Sequence, residues 1–372
     1  MFNFFRHLRS LISILSLPRN ERRLIFYSEG KNYWAHLGGL VEETLLQSDI
    51  PVCYISSSSD DPGLQLEHEN YQSFEIDDGF IRDWLFANID TDVMVMTMPD
   101  LHQYQVKKSK FDVHYVYVQH SLVSMHMVYR PGAFDHYNTI FCAGPHHVKE
   151  MRAIEAQNGL PEKNLVEHGY ARLDAIIEQR KLQPDTAKDV DAPAHILIAP
   201  SWGDNGTIEN GIGAKIVDEL LAREYRVTLR PHPQTVKFAG HQIEKILAKH
   251  RANPLFDYED NVAGQASLHS SDLMICDWSG AALDYALGLK KPVLFVDVPR
   301  KVNDPGYEKL LIEPIESSIR ESIGIVVPAD FDSLPIEECL QVGKNEFDMD
   351  SFVFNVGESD KVGAQTLLEM LR

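Results

Sequence analysis

The chain is short of cysteine, short of positive charge and without any long apolar run, and each shortage removes a class of protein. Its 372 residues hold only four cysteines, Cys53, Cys142, Cys276 and Cys339. They are far apart, sit in apolar strand-like stretches and have no metal-ligand spacing, so they read as buried thiols of a reducing compartment rather than a disulfide framework or a zinc site. Lysine and arginine number 35 against 55 aspartate and glutamate, a net charge of −20. That balance excludes a protein that coats nucleic acid, and any site for an anionic substrate must be basic locally, against the average. No apolar run reaches the ~20 residues that cross a bilayer. Repeats and low-complexity tracts are also missing. What is there is ordinary for a soluble globular protein, 44% hydrophobic and 24% charged, and the length exceeds one typical core, which predicts two domains.

The first residues depart from this composition. Phe2, Phe4, Phe5, Leu8, Leu11, Ile12, Leu15 and Leu17 recur at helical spacing, and residues 1–23 carry a local charge of +4 from Arg6, Arg9, Arg19, Arg22 and Arg23 against Glu21. This predicts an amphipathic helix over 1–18, either packed on its own domain or lying on an anionic membrane surface. Pro18 is followed by arginine-rich sequence with no small-residue cleavage site, unlike a signal peptide.

From Leu24 the pattern is strand, helix, strand: Leu24–Ser28, a helix over Tyr33–Ser48, then Val52–Ile55. Further strands are expected at Val93–Met96, Val113–Gln119 and Thr139–Cys142, with helices over Phe80–Ala87 and Pro145–Asn158. Residues 183–194 are polar, hold two prolines and lack periodicity, as an exposed linker does. A second unit follows: strand His195–Ala199, helix Ile212–Glu224, strand Arg226–Leu229, helix His241–His250, strands Leu273–Cys276 and Val293–Val296. The expected domains are therefore 19–184 and 195–345. A last helix, Lys361–Leu371, sits in a segment 346–372 that can cross back to the first domain. The fold class is α/β, with two Rossmann-like doubly wound domains and a ligand in the crevice at strand carboxyl ends.

Two tetrapeptides stand at such strand ends. Arg230-Pro231-His232-Pro233 follows Arg226–Leu229, pairing a bidentate donor with an imidazole held between two residues of fixed φ. Asp277-Trp278-Ser279-Gly280 lies between the apolar Leu273–Cys276 and a helix expected over Ala281–Leu287, so Ser279 and Gly280 can offer first-turn amides, and Ser279 its hydroxyl, to a phosphate. By itself the second motif is better explained as an ordinary N-cap; the two motifs together read as a phosphate clamp. In the first domain, Tyr115–Gln119 ends in His120, a strand-end imidazole suited to accept a hydroxyl proton. Most of the other histidines, His102, His114, His126, His136, His146 and His147 among them, read as surface or satisfied residues.

With these motifs in order, together with Gly169–Asp174, Ile198–Trp202, Ser271-Asp272, Asp284-Tyr285, Lys291–Phe295 and Asn355–Gly357, the chain resembles the CDP-glycerol glycerophosphotransferases, the family of teichoic-acid polymerases and primases, over roughly residues 90–370. The resemblance implies a GT-B type fold with two facing domains, the acceptor on the first and the cytidine nucleotide on the second, and neither metal nor other cofactor. It assigns His120 as general base, His232 and Arg230 as diphosphate contacts, Ser279 and Gly280 as the phosphate-binding turn oriented by Asp277, and Ser201 as a further substrate contact. Gln119-His120-Ser121-Leu122 departs from the family's Trp-His-Gly-Thr, and Gly280 stands where a second serine or threonine is common; both bear on the substrate more than on the fold. The implied reaction moves glycerol phosphate or a related polyol phosphate from a CDP-linked donor to a hydroxyl acceptor, lipid-linked or polymeric, in envelope polymer synthesis. The expected location is cytoplasmic, either free or, through the N-terminal helix, peripheral on the inner face of the membrane. Two other readings stay open: a GT-B glycosyltransferase or epimerase-like enzyme using a sugar nucleotide with Asp204 or Glu209 as its carboxylate, and a non-catalytic nucleotide-binding subunit of an envelope polymerase, against which both retained histidines argue.

Overall fold

Runs such as Leu-Ile-Phe-Tyr-Ser and Val-Cys-Tyr-Ile-Ser are apolar on both sides of the pleat, and continuous burial of that kind is satisfied only in a parallel sheet covered on both faces. A computed structural model of the chain, described here for all residues except 1, 78, 105, 183–191, 261–263 and 342–347, contains two such sheets. The chain divides into two compact units, one formed by residues 1–174 with 349–372 and the other by residues 175–348. Most of the expected linker, residues 183–191, lies outside the described residues, as do residues 346 and 347 of the expected C-terminal segment.

The first unit is built on strands β1 (Leu24–Ser28), β2 (Val52–Ser56), β3 (Tyr71–Glu75), β4 (Val93–Met96), β5 (His114–Val118), β6 (Thr139–Cys142) and β7 (Asn164–Glu167). They lie parallel in the order β3-β2-β1-β4-β5-β6-β7. Strand order reverses between β1 and β4, which opens a crevice at their carboxyl ends. The helix Trp34–Gln47 covers one face, and the C-terminal helix Ser359–Met370 packs beside it, placing Ala364, Leu367 and Leu371 in the same core as Leu37, Leu40 and Val41. Arg23 donates to the carbonyl of Leu371. Two family-like segments meet here: the Asp174 carboxylate accepts from the Gly357 amide at 2.7 Å and from the Ser359 hydroxyl at 2.5 Å. Gly169 has φ +107°, and a Cβ there would stand 2.6 Å from the carbonyl oxygen of Phe354, so only glycine lets this returning segment approach.

The N-terminal helix Phe2–Ser16 buries Leu11 and Ile14 on the first unit and ties Arg6 to Glu75 at 2.5 Å, while Phe4, Phe5 and Ile12 stay exposed. Among the described residues no helix is long and apolar enough to cross a membrane.

The second unit carries β8 (His195–Ile198), β9 (Arg226–Leu229), β10 (Phe256–Tyr258), β11 (Leu273–Cys276), β12 (Val293–Asp297) and β13 (Gly324–Pro328), parallel in the order β10-β9-β8-β11-β12-β13. Here the reversal falls between β8 and β11. Two expectations are corrected. The helix expected over His241–His250 runs from Pro233 to His250 with a break at Ala239 (φ −125°, ψ 25°), next to Gly240, whose low helix propensity hides the first half. The helix expected over Ala281–Leu287 is a single α-turn, Ala281–Leu283, widened into a π-turn over Asp284–Gly288.

Candidate functional site

In the second unit the switch point is closed by one carboxylate. Asp277, directly past β11, is buried, and its Oδ1 accepts from the backbone N–H of Ser201 and of Trp278, both at 2.6 Å. Its Oδ2 accepts from the Thr207 hydroxyl at 2.8 Å and the Thr207 amide at 3.2 Å. The loop after β8 is thus fixed to the turn after β11, and Ser201 enters this link through its amide. With four donors on it, Asp277 serves as an internal anchor of the turn.

His232 lies at the carboxyl end of β9 as the N-cap of the helix that follows. Its Nδ1 accepts from the Gln234 amide at 3.1 Å, with Pro233 at the first helical position. The ring stacks on Trp202, centroids 5.9 Å apart and 29° between planes. Burial, with a smaller contribution from the cationic Lys301, pushes its pKa down to about 4. At neutral pH the ring is uncharged, and because Nδ1 is the acceptor, the proton rides on Nε2 as a hydrogen-bond donor. Arg230 extends the β9–β8 pairing by one residue, its amide donating to Ile198 at 2.8 Å. Its guanidinium turns inward, donating to the Ser267 hydroxyl at 3.3 Å and the Gly264 carbonyl at 3.5 Å, and only 4% of the residue is exposed. Ser279, one residue ahead of the Gly280 N-cap, accepts through Oγ from the Ala281 amide at 3.3 Å. Among the described residues, the amides of Ser279 and Gly280 donate to nothing. Gly280 has φ −59°, so its backbone is one any residue adopts and its use is the missing side chain.

Two residues of this cluster escaped the sequence reading. Lys301, four residues past β12, places its ammonium 4.1 Å over the Trp202 ring. The pair Arg300-Lys301 behind a buried strand was the available signal. Trp202 was legible only as part of a motif, yet its ring is what joins His232 to Lys301. Beside the turn, a cleft of about 630 Å³ opens between Trp278, Asp297, Arg300, Glu313 and Arg320, with Arg320 stacked 4.1 Å over Trp278 and bonded to Asp297 at 2.8 Å.

His120 belongs to the first unit, two residues past β5. Its Nδ1 lies 3.0 Å from the Tyr117 hydroxyl, and its ring meets those of Tyr33 and Tyr129 edge-on, each with centroids 5.9 Å away. The Tyr170 hydroxyl donates to its carbonyl at 3.1 Å. Burial pushes its pKa down to about 4, opposed by the Thr97 carbonyl. Glu29, directly past β1 and unnoticed in the sequence, has its pKa raised by burial, countered by Arg82 and by a hydrogen bond from Tyr33. His36, stacked on Tyr170 at 5.6 Å, is held neutral by burial. The surroundings of His120 are thus hydroxyls and uncharged rings. Gln119 is buried with neither amide atom hydrogen-bonded.

Of the other histidines, His126 and His147 are core residues; the His147 Nδ1 accepts from the Ala143 amide at 3.2 Å. All four cysteines are buried and unpaired. Among the described residues no group of three or more His, Cys, Asp or Glu side chains is placed to hold a metal ion.

Residues 133–300 match the family described as CDP-Glycerol:Poly(glycerophosphate) glycerophosphotransferase. That span holds Arg230–Pro233 and Asp277–Gly280, and the resemblance read from the sequence is confirmed there; it stops short of His120 and of Lys301. No curated protein matches the chain by sequence. Among solved structures, the wall teichoic acid polymerase TagF superposes with a TM-score of 0.57 at 14% identity, covering 99% of this chain and 97% of that one. The UDP-GlcNAc 2-epimerase of Methanocaldococcus jannaschii does so with a TM-score of 0.58 at 15% identity, over 93% and 99% of the two chains. That of Neisseria meningitidis gives 0.57 at 14% identity, over 93% and 99%. At such identities the likeness establishes the fold, which is of the GT-B type.

Proposed function

We propose that the chain is a transferase that moves glycerol phosphate, or a related polyol phosphate, from a CDP-linked donor to a hydroxyl acceptor in the synthesis of a cell-envelope polymer. The observation that carries this reading is the clustering of His232 and the Ser279–Gly280 amides around the carboxylate-tied turn, inside the span that matches the glycerophosphotransferase family, with Lys301 one residue beyond that span. Polarity supports the division of labour. The second unit gathers uncommitted amide donors and a cation, as a diphosphate requires, whereas His120 lies among tyrosine hydroxyls and uncharged imidazoles, as a neutral hydroxyl acceptor requires.

In the proposed reaction the acceptor oxygen forms a bond to the phosphorus that bears the polyol, while the bridging P–O bond breaks and its electron pair leaves with CMP. His120 takes the acceptor's proton. The His232 Nε2–H, the turn amides and the positive charge of Arg230 stabilise the negative charge that grows on CMP, and Asp277 and Ser201 hold the turn in place. The exposed Phe4, Phe5 and Ile12 of the N-terminal helix fit peripheral contact with an anionic membrane on the cytoplasmic side, where a lipid-linked acceptor would be met.

CMP release from CDP-glycerol by the purified chain with a polyol-phosphate acceptor tests the reading, and a chain that binds CDP-glycerol yet never releases CMP would refute it. A sugar-nucleotide transferase or epimerase finds a carboxylate in Glu209, whose Oε1 accepts from Thr235 at 2.6 Å and whose Oε2 is buried without a hydrogen-bond partner. Thermal-shift comparison of CDP-glycerol, CDP-ribitol, CMP-sialate and UDP-sugars separates the two, because a bound donor stabilises the fold.

A further inference from the structure

A half-buried ammonium is expected to have a counter-ion, because burial without one costs several kcal/mol. Lys301 has none: among the described residues it makes neither an ion pair nor a hydrogen bond, and its contact is the face of Trp202 at 4.1 Å. Two carboxylates send their fields to it, and neither pairs with it. Asp277, from the turn after β11, accepts four hydrogen bonds from Ser201, Trp278 and Thr207. Glu209, from the loop after β8, accepts from Thr235 through Oε1, and its Oε2 is buried without a hydrogen-bond partner. His232, at the helix start after β9, is a neutral neighbour across Trp202, and Arg300 on its own segment lies toward Trp278, 5.7 Å from that ring. Three segments distant in sequence thus meet at one ammonium and leave its three donors unused.

We propose that Lys301 is an anion-binding residue of the nucleotide site, whose ammonium, seated on Trp202 next to the His232 imidazole, pairs with the diphosphate of the donor. The inference deepens the transferase reading and rests on it for the location of the donor, while committing only to a nucleoside diphosphate diester as ligand. The Lys301 charge complements a neutral His232: with the imidazole uncharged, the remaining cation of the cluster is Arg230, whose guanidinium is turned inward onto Ser267 and Gly264. Trp202 gives the lysine a defined place through cation–π attraction and leaves the ammonium on the ring face, reachable from outside.

Burial pushes the Lys301 pKa down to about 8, against the opposing fields of Asp277 and Glu209. An anionic ligand favours the protonated form, so binding above that pH draws a proton from solvent and affinity falls as pH rises. Arginine at the same position stays charged throughout.

The test is calorimetric titration of the full chain and of Lys301→Arg and Lys301→Met with CDP-glycerol and with UDP-N-acetylglucosamine, diesters without a phosphate proton that titrates between pH 7 and 9. The parent chain should bind about tenfold more weakly at pH 9 than at pH 7, with proton uptake seen as a dependence of the heat on buffer ionisation. Lys301→Arg should lose that alkaline weakening. Lys301→Met should bind about tenfold or more weakly at pH 7 and show no pH dependence. A Lys301→Met chain with parental affinity, or a Lys301→Arg chain that weakens at pH 9 as the parent does, overturns the assignment. Should Lys301→Met fail to fold by thermal unfolding, the Lys301→Arg profile decides alone. Lysine-dependent binding without CMP release sinks the transferase reading and keeps Lys301; CMP release at parental rate and KM in Lys301→Met does the reverse.

Discussion

Removing the Asp277 carboxylate is the most exacting perturbation of the second unit. Asp277→Ala leaves four donors without an acceptor: the amides of Ser201, Trp278 and Thr207 and the Thr207 hydroxyl. A buried donor stripped of its partner costs about 1–3 kcal/mol. Relaxation of the 201–207 loop toward water makes the sum sub-additive, so the expected loss is about 3–5 kcal/mol. Asp277→Asn keeps the shape and one acceptor oxygen but turns an NH₂ against donors on the other side, and should lose about 2 kcal/mol. Urea unfolding followed by tryptophan fluorescence reads both variants directly, since Trp202 and Trp278 flank the link. Donor affinity should fall in parallel, as Trp202 and the Ser279–Gly280 turn lose their common anchor. If both variants unfold within about 0.5 kcal/mol of the parent, the range of an ordinary surface change, the carboxylate is not what joins the two loops and the reasoning fails.

His120→Ala should abolish transfer while leaving CDP-glycerol affinity within about twofold, measured by CMP release and calorimetry; equal loss of both would remove it as base. His232→Ala should raise the donor KM or lower kcat about 10- to 100-fold, and an unaffected enzyme would remove it from the phosphate cluster. With both imidazoles held at about 4, kcat/KM should stay flat from pH 7 down to about 5, with no inflection near the ordinary histidine value of about 6.5; an inflection there would contradict their burial. Asp360, pushed up to about 7 by burial and by Asp174, Glu43 and Glu42, binds its proton more tightly folded than unfolded. Its neutral form therefore stabilises at acid pH, and stability drains away as pH rises from about 4 to 7. Asp360→Asn should add about 1–2 kcal/mol at pH 8 and nothing near pH 4, discounted for partial solvent access, and a melting-temperature series across that range checks the sign. Phe4→Ser with Phe5→Ser should weaken co-sedimentation with anionic vesicles without changing the melting temperature, since both rings are exposed, at 52% and 59%.

The central strands β1, β2, β4, β5, β6, β8, β9, β11 and β12 were readable because a strand buried on both faces must be continuously apolar. Edge strands escaped for the opposite reason: β7, Asn-Leu-Val-Glu, has no buried residue, and β3, Tyr-Gln-Ser-Phe-Glu, buries only two. The helix at Pro233 was hidden by its own punctuation, since Pro231, Pro233 and Gly240 all read as breakers while one of them is a first-turn proline. The Arg230–Pro233 and Asp277–Gly280 motifs could be singled out because residue types suited to phosphate recur at two strand ends of one unit; neither motif is decisive alone. The place of Lys301 and the tie of Asp277 to the loop after β8 were not, because they follow from residues 201–209, 232, 277 and 301 meeting in space. Glu29 shows a different limit: a glutamate past a strand is common in an acidic chain, and only its burial beside Tyr33 and Arg82 marks it out.

The return of the last helix to the first unit sets an order of events during synthesis. Ala364, Leu367 and Leu371 fill a core begun by Leu37, Leu40 and Val41 more than 300 residues earlier, whereas residues 175–348 form one uninterrupted unit. A ribosome therefore delivers everything the later-starting unit needs before it delivers the final piece of the earlier one. The N-terminal sheet must wait with an apolar flank uncovered until residues 359–371 emerge, a window in which chaperones and proteases have access to it. Cutting the chain ahead of residue 359 would make that interim state permanent.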